Sequence, residues 1–172
     1  MATVCIVGAG ELGGAIAHAL ARRERVSRVR LVDASAPVAA GKALDIQQSG
    51  AVERFHTRLE GTDDISRAAG CDVCVIADRF GRPSTEWQGD EGLAMLDRLR
   101  SFAAGIPIVF AGTEQSRLLA AAARELHLAR ERLIGSAPEA LASAIRSIVA
   151  MEAGCSAAEV ALAVIGAPPA GF

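Results

Sequence analysis

The sequence predicts an α/β fold, a doubly wound parallel sheet with helices on both faces. Three observations predict it. Short apolar runs alternate with longer segments of helical periodicity. The first, second, fourth and fifth of those runs are almost wholly apolar, as strands are when helices cover both faces of a sheet. The joining segments are short, which leaves right-handed crossovers as the workable topology.

The elements follow in chain order. Thr3–Val7 is a first strand, and Glu11–Arg22 a helix with Leu12, Ile16, Ala19 and Leu20 on one face. Val29–Val32 and the helix Val38–Gln48 repeat the unit. A weak strand near His56–Glu60 and a short helical turn at Asp64–Ala69 lead to the strand Val73–Ala77. Asp78–Asp90 is polar and rich in Gly and Pro, and it leaves the carboxyl end of a strand, where a lid could cover a ligand. Glu91–Ala104 brings Leu93, Leu96 and Leu99 together as a helix. Ile108–Ala111, Gln115–Leu126, Leu133–Ile134 and Glu139–Ala153 continue the alternation, and Val160–Ile165 reads as a final strand. At 172 residues there is room for one ordinary core. The expected division is a nucleotide-binding domain over 1–153 and the start of a second, substrate domain over 154–172.

Composition narrows the function classes. Apolar residues make up 51% of the chain, and 18 basic residues nearly balance 20 acidic ones. No basic block suggests a nucleic-acid surface, and no acidic tail suggests a disordered arm. No apolar run reaches the roughly 18 to 20 residues that cross a bilayer. The N-terminus enters its first strand without a basic region or cleavage site, so a cytoplasmic location is expected. Cys71 and Cys74 form a C-x-x-C, yet no second pair completes a zinc site. With Cys74 on a strand, side chains three apart are expected to diverge. The cysteines therefore read as small buried hydrophobes in a reducing compartment.

The most informative segment is Gly8-Ala9-Gly10-Glu11-Leu12-Gly13, a G-x-G-x-x-G extended by Gly14. It follows an apolar strand directly and opens an amphipathic helix directly, which is the setting the motif needs. Gly8 permits the tight turn, Gly10 lets backbone approach a pyrophosphate, and Gly13 lets helix and strand pack closely. The helix start adds unpaired N–H groups and a positive dipole end. Asp33 ends the second strand, 20 residues after Gly13, where a carboxylate reads both adenosine ribose hydroxyls. It would repel the 2′-phosphate of NADP, and Ala34-Ser35-Ala36 supply no Arg to reverse that preference. The expected cofactor is NAD, in a Rossmann fold, held by Gly8, Gly10, Glu11, Leu12, Gly13 and Asp33, with Ala77 at the end of the fourth strand.

These residues resemble the malate and lactate dehydrogenase family. Val7-Gly8-Ala9-Gly10-Glu11-Leu12-Gly13-Gly14 is similar to its opening turn, and Leu31-Val32-Asp33 with Gly41-Lys42-Ala43-Leu44-Asp45 to its second strand and helix. Asp72–Ala77, Arg132-Leu133-Ile134-Gly135 and Val164-Ile165-Gly166 resemble later strands. The resemblance covers the cofactor domain and the first strand of the next. It implies hydride transfer between NAD and a 2-hydroxy or 2-keto acid, and a homodimer built partly on the helix around Leu44 and Ile46.

The departures are equally specific. Of the family's two loop arginines, Arg82 stands at the first position as a candidate for gripping a small carboxylate. The second falls on Gln88, or on Trp87 if the loop slips by one residue. The Asn-Pro pair after the fifth strand reads Gly112-Thr113. The histidine-orienting Asp and the substrate-binding Arg fall on Leu141 and Ala144, and the catalytic histidine on Pro168. The glycine after the fourth strand is absent, with Asp78-Arg79 in its place. His18, His56 and His127 all stand away from the place where a catalytic imidazole belongs. No catalytic residue is therefore assigned, and no metal site. Two readings remain from the sequence: a catalytically inactive NAD-binding module, or an active oxidoreductase whose substrate domain lies beyond Phe172.

Overall fold

The computed structural model describes residues 2–81, 86–113 and 115–166. Its strands are β1 (Thr3–Val7), β2 (Arg28–Val32), β3 (Arg58–Thr62), β4 (Val73–Ile76), β5 (Ile108–Phe110) and β6 (Leu133–Gly135). The helices are α1 (Glu11–Arg22), α2 (Ala36–Glu53), α3 (Gly89–Arg100), α4 (Gln115–Glu125) and α5 (Ala137–Ala153), with 3-10 turns at Ile65–Ala68, Arg130–Arg132 and Ala157–Glu159. All strand pairs are parallel, in the order β3-β2-β1-β4-β5-β6. The doubly wound Rossmann sheet expected from the sequence is present. Its order reverses between β1 and β4, and that is where the crevice opens.

Side-chain alternation along β1 divides the core. Cys5 and Val7 face one layer, with Leu96, Leu99, Phe110, Leu118 and Leu133. Val4 and Ile6 face the other, with Ala17, Val29, Leu31, Ala39, Ala43 and Val75. Burial on both faces explains why these strands lack a polar-apolar alternation. Small residues carry the α1–α2 layer: Ala17, Ala21, Ala39 and Ala43 are all buried, so helix and sheet approach closely. Helix ends follow local chemistry. Pro37 and Pro138 lie in the first turns of α2 and α5, and Gly154 ends α5 at φ +65°.

Three sequence expectations need correction. The weak third strand lies two residues later than expected, because Phe55 and Thr57 are buried anchors of the preceding turn. Thr57 Oγ1 donates to the Val26 carbonyl at 2.9 Å. Secondly, residues 160–165 form no strand. A strand needs a hydrogen-bonded neighbour, and among the described residues none pairs with this segment, which leaves Ile165 exposed. Thirdly, Cys71 precedes β4 and so escapes strand alternation. It joins Cys5 and Cys74, which are register partners on β1 and β4, in one buried cluster. The hydrogen bond from Cys5, with Arg30 Nη1 at 3.5 Å, lowers the Cys71 thiol to about 6, while the same contact raises Cys5.

One packing contact supports a direct test. A Cβ at Gly61, on β3, would lie 2.1 Å from the Ala39 carbonyl oxygen of α2. The obstacle is backbone, so strand and helix must separate. Gly61→Ala is expected to lower unfolding free energy by about 1–3 kcal/mol, read from the urea midpoint. An unchanged midpoint would show that α2 and β3 are not in that contact.

Candidate functional site

The glycines of the turn do different work. Gly8 takes φ +116°, its N–H donates to the Val32 carbonyl at 2.7 Å, and a Cβ there would lie 2.3 Å from the Asp78 carbonyl oxygen. A side chain is excluded twice over, by conformation and by space. At Gly13 a Cβ would lie 2.0 Å from the Gly8 carbonyl oxygen. That is the close helix–strand packing expected of the third glycine. Gly10 is buried, but the space beside its Cα holds a group of the chain itself. A Cβ there would lie 2.3 Å from both Cγ and Oδ2 of Asp78.

Asp33 is buried at the end of β2, held by its N–H to the Thr62 carbonyl. Its Oδ2 accepts from the Ala9 N–H at 2.8 Å and from the Phe80 N–H at 3.0 Å. Its Oδ1 accepts from Ser35 N–H at 3.0 Å. The acid and the glycine turn, 24 residues apart at Ala9 and Asp33, thus form one unit. Three N–H donors offset the cost of burying this carboxylate.

Asp78 is the second buried carboxylate, 5% exposed. Oδ1 accepts from the Gly13 N–H at 2.9 Å and Oδ2 from the Leu12 N–H at 3.2 Å. Its backbone carbonyl accepts from the Gly10 N–H at 2.9 Å. An anion thus sits on the N-terminal amides of α1, where charge and dipole favour it. Ala77 is buried beneath the turn, its N–H on the Val7 carbonyl at 2.9 Å. Glu11 begins α1 and is exposed to the crevice.

The remaining neighbours complete a cleft of about 650 Å³ lined by Gly10, Glu11, Lys42, Asp78, Arg79, Phe80 and Gly81. Lys42 reaches from α2 to donate from Nζ to the Gly10 carbonyl at 2.5 Å. The sequence placed Lys42 in a matching segment but gave it no role, because nothing local shows that α2 leans over α1. Arg79 pairs with Glu91 and lies over the Trp87 ring at 4.7 Å, so both residues anchor the segment after β4. Across the crevice, Glu86 Oε1 accepts from the Thr113 N–H at 2.9 Å and Oγ1 at 3.0 Å, at the end of β5. Arg82 and Pro168 lie outside the described residues, as do residues 82–85 of the expected lid Asp78–Asp90.

The histidines stay apart from the crevice floor. His18 Nε2 contacts Glu53 Oε1 at 2.7 Å between α1 and α2, and His56 and His127 are exposed in turns. Gln88, at the start of α3, is exposed, as is Ala144 on α5, while Leu141 is half-buried there. Among the described residues no group of His, Cys, Asp and Glu could hold a metal ion, and no helix is long and apolar enough to cross a membrane.

Comparison with known proteins points the same way. Residues 2–85 match the family described as lactate/malate dehydrogenase, NAD binding domain. Malate dehydrogenase of Cytophaga hutchinsonii is 32% identical over 165 residues, covering 91% of this chain and 53% of that protein. Malate dehydrogenase of Pelagibacter ubique is 38% identical over 76 residues, 44% of this chain and 24% of that protein. Among solved structures, malate dehydrogenase of Salinibacter ruber shares the fold with a TM-score of 0.81, at 24% identity over 96% of this chain and 54% of that one. Lactate dehydrogenase of Cryptosporidium parvum, solved with lactic acid and nicotinamide adenine dinucleotide, gives 0.82 at 22% identity, over 96% and 54%. The chain spans about half the length of the longest of these matches or less.

Proposed function

We propose that the chain is a member of the lactate/malate dehydrogenase family, whose NAD-binding domain residues 2–85 match, and that it binds NAD(H) in the crevice between β1 and β4. The carrying observation is the bond between Asp33 and the glycine turn, which fixes the carboxylate at the end of β2 with the turn beside it. In this reading Asp33 takes the adenosine ribose hydroxyls. The backbone at Gly8, Gly10, Glu11, Leu12 and Gly13 faces the pyrophosphate, and Ala77 lies under the cofactor. Arg82 stays a candidate for a small carboxylate ligand. The family reaction, hydride transfer between NAD and a 2-hydroxy or 2-keto acid, is proposed for this chain's lineage, with the chain itself catalytically inactive.

NAD(H) is expected to bind roughly tenfold or more tightly than NADP(H), because Asp33 faces the 2′ position without a compensating arginine in Ala34-Ser35-Ala36. Asp33→Ala is expected to weaken NADH by about 1.5–3 kcal/mol for each charged hydrogen bond lost. Calorimetric titration with both cofactors is the test, and equal affinity of the unaltered chain for the two would sink the preference.

The same reading includes a homodimer. Leu44 is 55% exposed on α2, apolar surface that a second copy would cover, while Ile46 is half-buried against the core. Light scattering at tens of micromolar is expected to give twice the chain mass, and a monomer there would count against the dimer.

A further inference from the structure

We infer that Asp78 is the affinity-determining residue of this site: its carboxylate occupies the amides that a dinucleotide's pyrophosphate needs, so the cofactor must displace it. The inference rests on the reading of the crevice as a dinucleotide site and goes beyond it.

Four hydrogen bonds and one close approach carry it. The Gly13 and Leu12 N–H groups both donate to the Asp78 side chain, at 2.9 and 3.2 Å. The hollow beside Gly10, which the motif keeps clear for a phosphate, holds Asp78 Cγ and Oδ2 instead. The Gly10 N–H is already taken by the Asp78 carbonyl. Two residues on, the Phe80 N–H sits on Asp33 Oδ2, an oxygen that a ribose hydroxyl would use. One short segment, 78–80, therefore meets both the phosphate-facing amides and the ribose-reading acid.

The chemistry of competition follows. A pyrophosphate and a carboxylate seek the same positive end of α1, and they repel each other. Binding requires Asp78 to leave its N–H partners while its charge stays beside the incoming anion. Lys42 and Arg79 are the cations that line the cleft, with the Lys42 Nζ turned to the Gly10 carbonyl and Arg79 paired with Glu91. A glycine at position 78 would present neither the charge nor the side chain. Asp78 thus lowers the affinity of the site for phosphorylated ligands, and a ligand must make enough further contacts to displace its carboxylate.

The test uses the whole chain in two variants, with two probes. Asp78→Gly removes the group, while Asp78→Asn keeps its shape without its charge. With inorganic pyrophosphate, amide NMR of the unaltered chain is expected to show no saturable shifts at Gly10, Leu12 and Gly13, whereas Asp78→Gly shows them. With NADH, calorimetry is expected to give roughly tenfold or tighter binding by Asp78→Gly, the scale of one charged acceptor removed from competition. Asp78→Asn is expected to fall between, and it carries the comparison if Asp78→Gly does not fold. Equal pyrophosphate and NADH affinities across the folded variants would overturn the role of Asp78. If instead Asp78→Gly takes pyrophosphate at these amides but binds NADH no more tightly than pyrophosphate, Asp78 keeps its role and the dinucleotide reading falls.

Discussion

Purified as 172 residues, the chain is expected to reduce oxaloacetate or pyruvate with NADH far more slowly than the roughly 1 to 10³ per second of ordinary enzymes. The reduction of a 2-keto acid needs a proton donor near neutral pH and cations for a carboxylate and a developing alkoxide. A positioned acid typically contributes ~10² to 10⁴ in rate, and one stabilising donor about a further 10² to 10³. The positions that resemblance assigns to these tasks read Pro168 for the acid, Leu141 for its orienting carboxylate, Ala144 for the carboxylate-binding cation and Gln88 for the carbonyl-polarising one. Among the described residues, Leu141 and Ala144 sit on α5, and the three histidines are engaged or exposed elsewhere. Residues acting as a unit are non-additive, so the losses do not multiply. Even so, Pro168→His is not expected to restore turnover while its orienting position remains Leu141. Loss of NADH absorbance measures it, and turnover near 1 per second by the purified chain would overturn the assignment of these positions.

The part of the fold nearest this site was the most legible in the sequence. β1, the glycine turn, α1, β2 and Asp33 are contiguous, and each announces itself through local periodicity or glycine spacing. The third strand was harder, because residues 56 and 57 alternate with Phe55 in a way that suits either a strand or a buried turn. Only the burial of Phe55 beside Gly50 of α2 and the bond from Thr57 to the Val26 carbonyl decide between them. The expected strand at 160–165 failed for a different reason. Pairing is a property of two segments, and an apolar run does not contain its partner.

The site divided along the same line. Asp33 could be read because its role depends on where β2 ends. Asp78 could be read only as part of a departure, Asp78-Arg79 where the resembling family carries a glycine. Its destination lies 65 residues away, on the backbone amide of Gly13. Backbone donors leave no mark in the sequence, so no pattern of residue types could have shown that this carboxylate would settle on them. Cys71 was misplaced by a smaller error of the same kind, since strand alternation was applied to a residue that lies before the strand begins.

Phe110→Ala is expected to cause the largest loss of stability among single truncations considered, about 3–5 kcal/mol. Phe110 ends β5 with 1% of its surface exposed, among Leu96, Leu99, Ile108, Leu118 and Leu133. Its register partners are Ile76 on β4 and Gly135 on β6, and its carbonyl accepts from Ser136 N–H at 3.1 Å and Oγ at 3.0 Å. The ring therefore fills the layer between the sheet and α3 and α4, while the backbone fixes the turn into α5. Removing the ring leaves a cavity that these neighbours close only in part, which adds to the lost transfer free energy. Against a typical total of roughly 5–15 kcal/mol for a domain, that is a large fraction. The melting temperature is expected to fall by about 6–20 °C, at some 2–4 °C per kcal/mol for a chain of this size. Ile134→Ala, one strand over but 47% exposed, is the control and is expected to stay within about 0.5 kcal/mol. Because Phe110 faces the α3–α4 layer, the folded variant is expected to keep its NADH affinity. Chemical unfolding with matched slopes separates the two substitutions, and equal losses at Phe110 and Ile134 would show that β5 does not carry the centre of this core.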